Sequence, residues 1–176
     1  AMSDTNLTSL HARVWNLIGA ATGTPMPLAT SRIGEGASLR MVVLRRVIAD
    51  SNTLEFWTHA ASAKLDEIAA DPTGEVLIWD DASQTQARLR VNLSVSSGDP
   101  EDWATMGKGS RLNYAGPPLP GDPLATPDAA SHIPDPALFK RLTAQVTAMD
   151  VLVLAPLPQR RAKFGPDGEG AQWVAP

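Results

Sequence analysis

The sequence predicts a mainly β protein with peripheral helices, its strands forming an antiparallel sheet that closes into a barrel. Three observations carry this reading. From Ala87 to Val95, apolar residues alternate strictly with Arg88, Arg90, Asn92 and Ser94, the period-two pattern of a strand with one buried and one polar face. The segment TLEFWTHA (53–60) follows SLRMVVLRRV (38–47) across the polar turn ADSN at 49–52, so the two read as a hairpin. Short apolar runs recur at EVLIWDD, DVLVLAP, QRRAKF and AQWVAP between Pro- and Gly-containing turns, for about six or seven strands in all.

Taken in order, the chain opens with an amphipathic helix over about 5–20, whose Leu7, Leu10, Val14, Leu17 and Ile18 fall at helical spacing. GTPMPLATSRIGEGAS (23–38) reads as a turn-rich connector to the hairpin. After the hairpin, ASAKLDEIAADP predicts a short helix with Ser62 as its N-cap, Asp66 and Glu67 in its early turns and Pro72 as its stop. The strand EVLIWDD and the alternating strand follow. EDWATM then reads as helical, residues 107–127 as a Gly/Pro-rich loop, and DPALFKRLTAQVTAM (135–149) as a helix with Asp135 as N-cap and Pro136 at its first position. No internal repeat is present. A chain of 176 residues suits one domain, 1–176, rather than two.

Composition excludes several classes. At 43% apolar and 19% charged the chain has enough to bury for a core. A net charge of −4 is opposite to the basic footprint of a general nucleic-acid binder. Without cysteine there are no disulfides, thiolate metal sites or thiol nucleophiles. No apolar run approaches the ~18–20 residues needed to cross a bilayer, and no signal-peptide pattern opens the chain, so the expected location is the cytoplasm. Gly34-Glu35-Gly36 lacks the third glycine of a dinucleotide fingerprint and precedes a strand, not a helix. Gly107-Lys108-Gly109-Ser110 lacks the upstream glycine of a phosphate loop. His11, His59 and His132 share no ligand spacing, so no metal site is expected. The G-x-S-x-G signature of serine hydrolases is absent.

What remains is a distributed anion site. Arg40 lies on the first hairpin strand, Trp57 and Thr58 end the second, and Ser62, Ala63 and Lys64 open the helix after it. Pairing of the two strands would bring Arg40 towards the hydroxyls of Thr58 and Ser62, the Lys64 ammonium and the free N–H groups of a helix start. The plainer alternative leaves Arg40 a solvated strand-edge residue, Ser62 a cap, Lys64 a surface cation and Trp57 a core residue.

These residues carry a resemblance. Arg40-Met41-Val42-Val43-Leu44-Arg45, then Phe56-Trp57-Thr58, then Ser62-Ala63-Lys64, then Asp71-Pro72 resembles, in order and spacing, the pattern of the pyridoxamine 5′-phosphate oxidase-related, FMN-binding split-barrel proteins. Leu89-Arg90-Val91 and the late Arg160, Arg161, Lys163-Phe164 correspond as well, so the likeness extends over roughly residues 25–176. It implies an FMN-binding split barrel with one FMN per subunit. Arg40 and Lys64 would hold the phosphate, with Thr58, Ser62 and Ala63 adding donors, and Arg40 would grip it bidentately. The backbone from Met41 to Leu44 would run along the isoalloxazine ring, and Arg45, Trp57, Arg88 and Lys163 would complete the cofactor site. It further implies a homodimer with the flavin at the interface, so that Arg88 and Lys163 reach it from either subunit.

Departures from the pattern bear on the reaction. Arg45 replaces a lysine that touches substrate in the oxidase itself. The positions whose tyrosine and arginine hold the substrate phosphate there fall near Asp102 and Met106, although Ser110 is kept, and the late substrate-reading Arg and His correspond to Gln159 and Arg161. Asp102 repels a phosphate and Met106 cannot bind one, which argues against pyridoxamine phosphate oxidation. On the flavin side a glutamine becomes Arg88, a tryptophan Val153 and an arginine Lys163. A cation at 88 beside the carbonyl edge would favour the reduced, anionic ring. The resulting expectation is an FMN-dependent oxidoreductase whose substrate and catalytic acid or base the sequence does not name. The alternatives are a non-catalytic flavin carrier or sensor, and a split barrel holding haem or a deazaflavin.

Overall fold

The computed structural model describes residues 6–130 and 133–176, so His132 and the first residue of the expected helix lie outside it. Helix α1 (Leu7–Ala20) is capped by the Asn6 side chain, which accepts from Thr8 N at 2.8 Å. Its Leu10, Val14 and Ile18 are fully buried. One stripe of an amphipathic helix thus enters the core, as the spacing predicts.

Among the described residues eight strands follow: β1 (Pro25–Arg32), β2 (Gly36–Ile48), β3 (Thr53–His59), β4 (Thr73–Asp80), β5 (Thr85–Ser97), β6 (Phe139–Val153), β7 (Arg160–Phe164) and β8 (Gln172–Val174). Their order is β3-β2-β1-β4-β5-β6-β7-β8, every pairing is antiparallel, and an added β3–β6 pairing closes β1 to β6 into a ring. β6 serves three neighbours. Its first half, Phe139–Gln145, pairs with β3, and its last residues, Met149–Val153, pair with β7, while β5 runs along both. The barrel splits where β6 changes partner, and β7 and β8 extend from there. Inward residues such as Leu28, Leu44, Leu54, Phe56, Val76, Leu89, Leu142 and Val151 fill the ring with no measurable exposure.

Two expectations are corrected. The segment 23–38 is not a connector: it holds β1 and the start of β2. Pro25 and Pro27 disguised it, since proline is rare inside a sheet. Here β4 pairs with β1 only at Leu28 and Ala29, so the prolines fall where β1 has β2 alone beside it. Met26, Leu28 and Thr30 nonetheless alternate inward. The segment 135–149 is not a helix either. Asp135 caps and Pro136 opens a 3-10 turn that ends at Leu138, and Phe139 begins the long strand β6. A bulge opposite Arg90 and Val91 leaves Thr147 as an extra residue, so the buried series runs Leu142, Ala144, Val146 and then Met149, Val151, Val153. The shift in parity broke the two-residue period and left a spacing that imitates a helix.

A satellite cluster sits outside the ring. Helix α3 (Pro100–Thr105), helix α4 (Lys108–Arg111) and the turn Leu112–Tyr114 lie in the segment read as helix and loop. Met106, Tyr114 and Phe139 are buried there, with Trp57, Trp103 and Leu138 packed against them. Helix α2 (Lys64–Ala70) follows β3 and turns its Glu67 and Ile68 inward. Among the described residues no helix is long and apolar enough to cross a membrane.

Candidate functional site

β2 divides the predicted residues by parity. Arg40, Val42 and Leu44 belong to the inward row, with Val42 and Leu44 buried. Leu39 and Met41 stand outward at 71% and 59% exposure, and Val43 on the same row is half-buried. A bulge between Leu44 and Arg46 then breaks the register.

Arg40 is fixed from four sides. Its Nη1 donates to Leu28 O (3.3 Å) and Thr30 Oγ1 (2.5 Å), and its Nη2 donates to Ser38 Oγ (2.6 Å) and Glu67 Oε2 (2.5 Å). An arginine has five N–H donors, four of them on these two nitrogens, which leaves the Nε–H for a ligand in this arrangement. A bidentate grip on a phosphate therefore requires Arg40 to release Glu67 or a hydroxyl. Glu67, 7% exposed, also accepts from Arg32 Nε (3.0 Å) and Thr30 Oγ1 (2.5 Å). Burial raises its pKa, but the hydrogen bonds from Thr30, Arg32, Arg40 and Ser38 outweigh it and hold the carboxyl at about 2.

Lys64 lies beside this group and has a different environment. Its Nζ donates to Thr58 Oγ1 (2.9 Å) and Ser62 Oγ (2.5 Å). Ser62 is therefore not the N-cap of α2. Ala63 takes that position without a side-chain bond, and the Ser62 hydroxyl turns to the ammonium instead. Among the described residues no carboxylate comes within ion-pair distance of Lys64. Burial lowers its pKa and the Arg40 charge lowers it further, against the opposing pull of Glu67. A half-buried ammonium held by two hydroxyls and pressed by a neighbouring guanidinium is short of negative charge. The structure thus joins Arg40, Thr58, Ser62 and Lys64 as the sequence suggested, with Ala63 beside them.

The other predicted residues occupy two further places. Arg45 lies over the Trp57 ring, 4.6 Å from its centroid, and Trp57 meets Phe139 edge-on at 5.3 Å. Trp57 is thereby packed against the satellite cluster. Arg88 and Lys163 line a cavity of about 250 Å³ with Glu75, Arg90, Asp150 and Phe164. Arg88 is bound by both Glu75 oxygens, Nε at 2.7 Å and Nη2 at 3.1 Å, and Lys163 is exposed. A neighbouring cavity of about 420 Å³ shares Glu75 and Arg90 with this one and reaches Thr30.

Sequence reasoning missed Glu67, Arg32, Thr30 and Ser38. Glu67 was read as a helix-dipole residue. The available signal was its position three residues after Lys64, which places both on one helix face. Thr30 and Ser38 were hidden in the supposed connector. Of the divergent substrate positions, Asp102 accepts from Arg46 Nη2 (3.0 Å), Met106 is buried, and Arg161 is bound by both oxygens of Asp150 at 2.8 Å.

Fold and site together describe a split β-barrel with a cationic cluster at the start of α2. Solved structures share this fold. A pyridoxamine 5′-phosphate oxidase-related, FMN-binding protein from Nostoc punctiforme PCC 73102 superposes with a TM-score of 0.77 at 24% identity, covering 99% of this chain and all of that one (100%). PhzG from Burkholderia lata 383, in complex with tetrahydrophenazine-1-carboxylic acid, superposes at 0.74 with 18% identity, covering 98% of this chain and 95% of that one. A heme binding protein from Mycobacterium smegmatis gives 0.55 at 14% identity, over 95% of this chain and 61% of that one. No protein-family model and no curated protein matches the chain. The fold is that of the FMN-binding split barrels.

Proposed function

We propose that the chain belongs to the pyridoxamine 5′-phosphate oxidase-related, FMN-binding family and works as an FMN-dependent oxidoreductase. The observation that carries the reading is Lys64: an ammonium whose hydrogen-bond partners among the described residues are the Thr58 and Ser62 hydroxyls, beside Arg40. That donor set suits the dianion of a terminal phosphate monoester. Lys64 and the two hydroxyls would hold it, and Arg40 would contribute its Nε–H and its charge. The outward backbone of Met41 to Leu44 would border the ring, and Arg88 and Lys163 would approach from the outer face of the same subunit or of a second copy. When bound, FMN supplies hydride chemistry at its ring, and the chain binds, orients and desolvates it. Pyridoxamine phosphate oxidation itself does not suit the site, because Asp102 and Met106 replace the residues that would hold the substrate phosphate.

Haem fits less well. His59 is engaged at both ring nitrogens, Nδ1 accepting from Ala61 N (2.9 Å) and Nε2 lying 3.2 Å from Ala115 O, and His11 Nε2 meets Pro166 O at 2.9 Å. Titration with FMN and riboflavin, followed by flavin fluorescence, tests the phosphate role: FMN should bind at least tenfold more tightly. Equal affinities would refute it. Reduction of the bound flavin by NAD(P)H and reoxidation by oxygen separate an oxidoreductase from a carrier, which would do neither.

A further inference from the structure

We propose that Glu67 is the resident counter-anion of this site, setting the charge it offers to a ligand and competing with that ligand for Arg40. The inference rests on the phosphate reading above and concerns the same cluster. Three cations lie together: Arg32 and Arg40 bind Glu67 directly, and Lys64 feels both Arg40 and Glu67. Glu35 also pairs with Arg32, at 3.1 Å, so the three cations exceed the two carboxylates by one positive charge, and removing the Glu67 charge raises that excess to two.

The geometry makes the competition specific. Glu67 Oε2 holds Arg40 Nη2 at 2.5 Å, and the same oxygen accepts from Thr30 Oγ1, which in turn accepts from Arg40 Nη1. One buried carboxylate oxygen thus commits both ends of the guanidinium. A phosphate arriving at Lys64 finds Arg40 turned towards Glu67 and meets the repulsion of that carboxylate, whose charge Lys64 already feels. Neutralising Glu67 removes the repulsion and replaces one of its two acceptor oxygens with an NH2 group, so Arg40 is held less tightly and becomes free to turn. A group that merely supported the fold would weaken every ligand when changed; a competing anion strengthens the phosphate-bearing one.

Glu67→Gln is the test, titrated with FMN and with riboflavin against the unmodified protein. FMN should tighten by about tenfold while riboflavin, which has no phosphate, stays unchanged, and the ligand-free protein should melt at a lower temperature. Glu67→Asp serves as a second variant if the first does not fold. It keeps the charge but withdraws it by one methylene from Arg40, so the ratio of riboflavin to FMN dissociation constants should rise again, by less. An unchanged or lowered ratio in the variant that folds overturns the proposal. Failure of the unmodified protein to prefer FMN over riboflavin would instead overturn the phosphate reading, and this inference with it.

Discussion

Lys64 and Arg40 divide the work of one cluster, and substitutions should separate them. Lys64→Ala removes the ammonium without disturbing Glu67's ion pairs, so FMN should weaken by about ten- to a hundredfold, the value of roughly one charge-assisted bond, with riboflavin unaffected. The same lysine predicts a pH dependence. Its pKa lies below the ordinary 10.5, so FMN affinity should fall as pH rises towards that lowered value, and Lys64→Ala should abolish the slope. Arg40→Ala does something else: it leaves a buried carboxylate with fewer partners, which costs about 3 kcal/mol of stability. The acid limb of stability follows from Glu67. Its folded pKa, held at about 2, is below its ordinary 4.5, so the stabilisation is present above pH ~4.5 and is lost as pH falls towards 2, on the order of 3 kcal/mol in all. In Arg40→Ala the folded pKa moves back towards the ordinary value, so the loss between pH 7 and pH 3 should be smaller. Urea unfolding midpoints at pH 7 and pH 3 for both proteins check the sign.

Among the elements, the junction of β5, β6 and α3 is tightly packed. A Cβ on Gly98 would stand 2.0 Å from the Phe139 ring, and Phe139 holds Trp57, Trp103 and Tyr114 around it. Gly98→Ala should therefore destabilise the protein by about 1–3 kcal/mol and shift tryptophan emission, whereas Gly109→Ala, with nothing near its Cβ, should be close to neutral. The same junction shows where sequence reading stopped. The alternation from Ala87 to Val95 was legible because β5 keeps strict parity through Leu93, and the β2–β3 hairpin was legible because its turn is short and polar. β6 was not, because the bulge at Thr147 inverted its parity midway. β1 was not, because two prolines argued against a strand whose second neighbour arrives only at Leu28. In the site, the grouping of Arg40, Thr58, Ser62 and Lys64 was legible from their order along the chain, but the commitment of Arg40 was not. Nothing in local spacing states that a carboxylate on α2 would meet a guanidinium on β2 and a hydroxyl on β1.

The whole molecule leaves one outer face apolar. Leu39 and Met41 on β2 and Trp79 on β4 are exposed, the last at 47%, around hollows lined by Pro27, Leu77 and Arg88. Burying such a face calls for a ligand, a second copy or both, and a homodimer with the flavin at its interface satisfies each. Light scattering should then give twice the 18.7 kDa subunit mass, and Met41→Glu should yield a monomer with weakened FMN binding. A monomeric parent protein that still binds FMN tightly would contradict the shared site. The central claim is that this barrel holds FMN, and its most direct test is the ligand that the purified protein carries or takes up. The absorption spectrum, with mass spectrometry of the molecule released on denaturation, should show an oxidised flavin identified as FMN, at one per subunit after FMN is supplied. Release of FAD or haem, or no flavin bound even with FMN in excess, would contradict it.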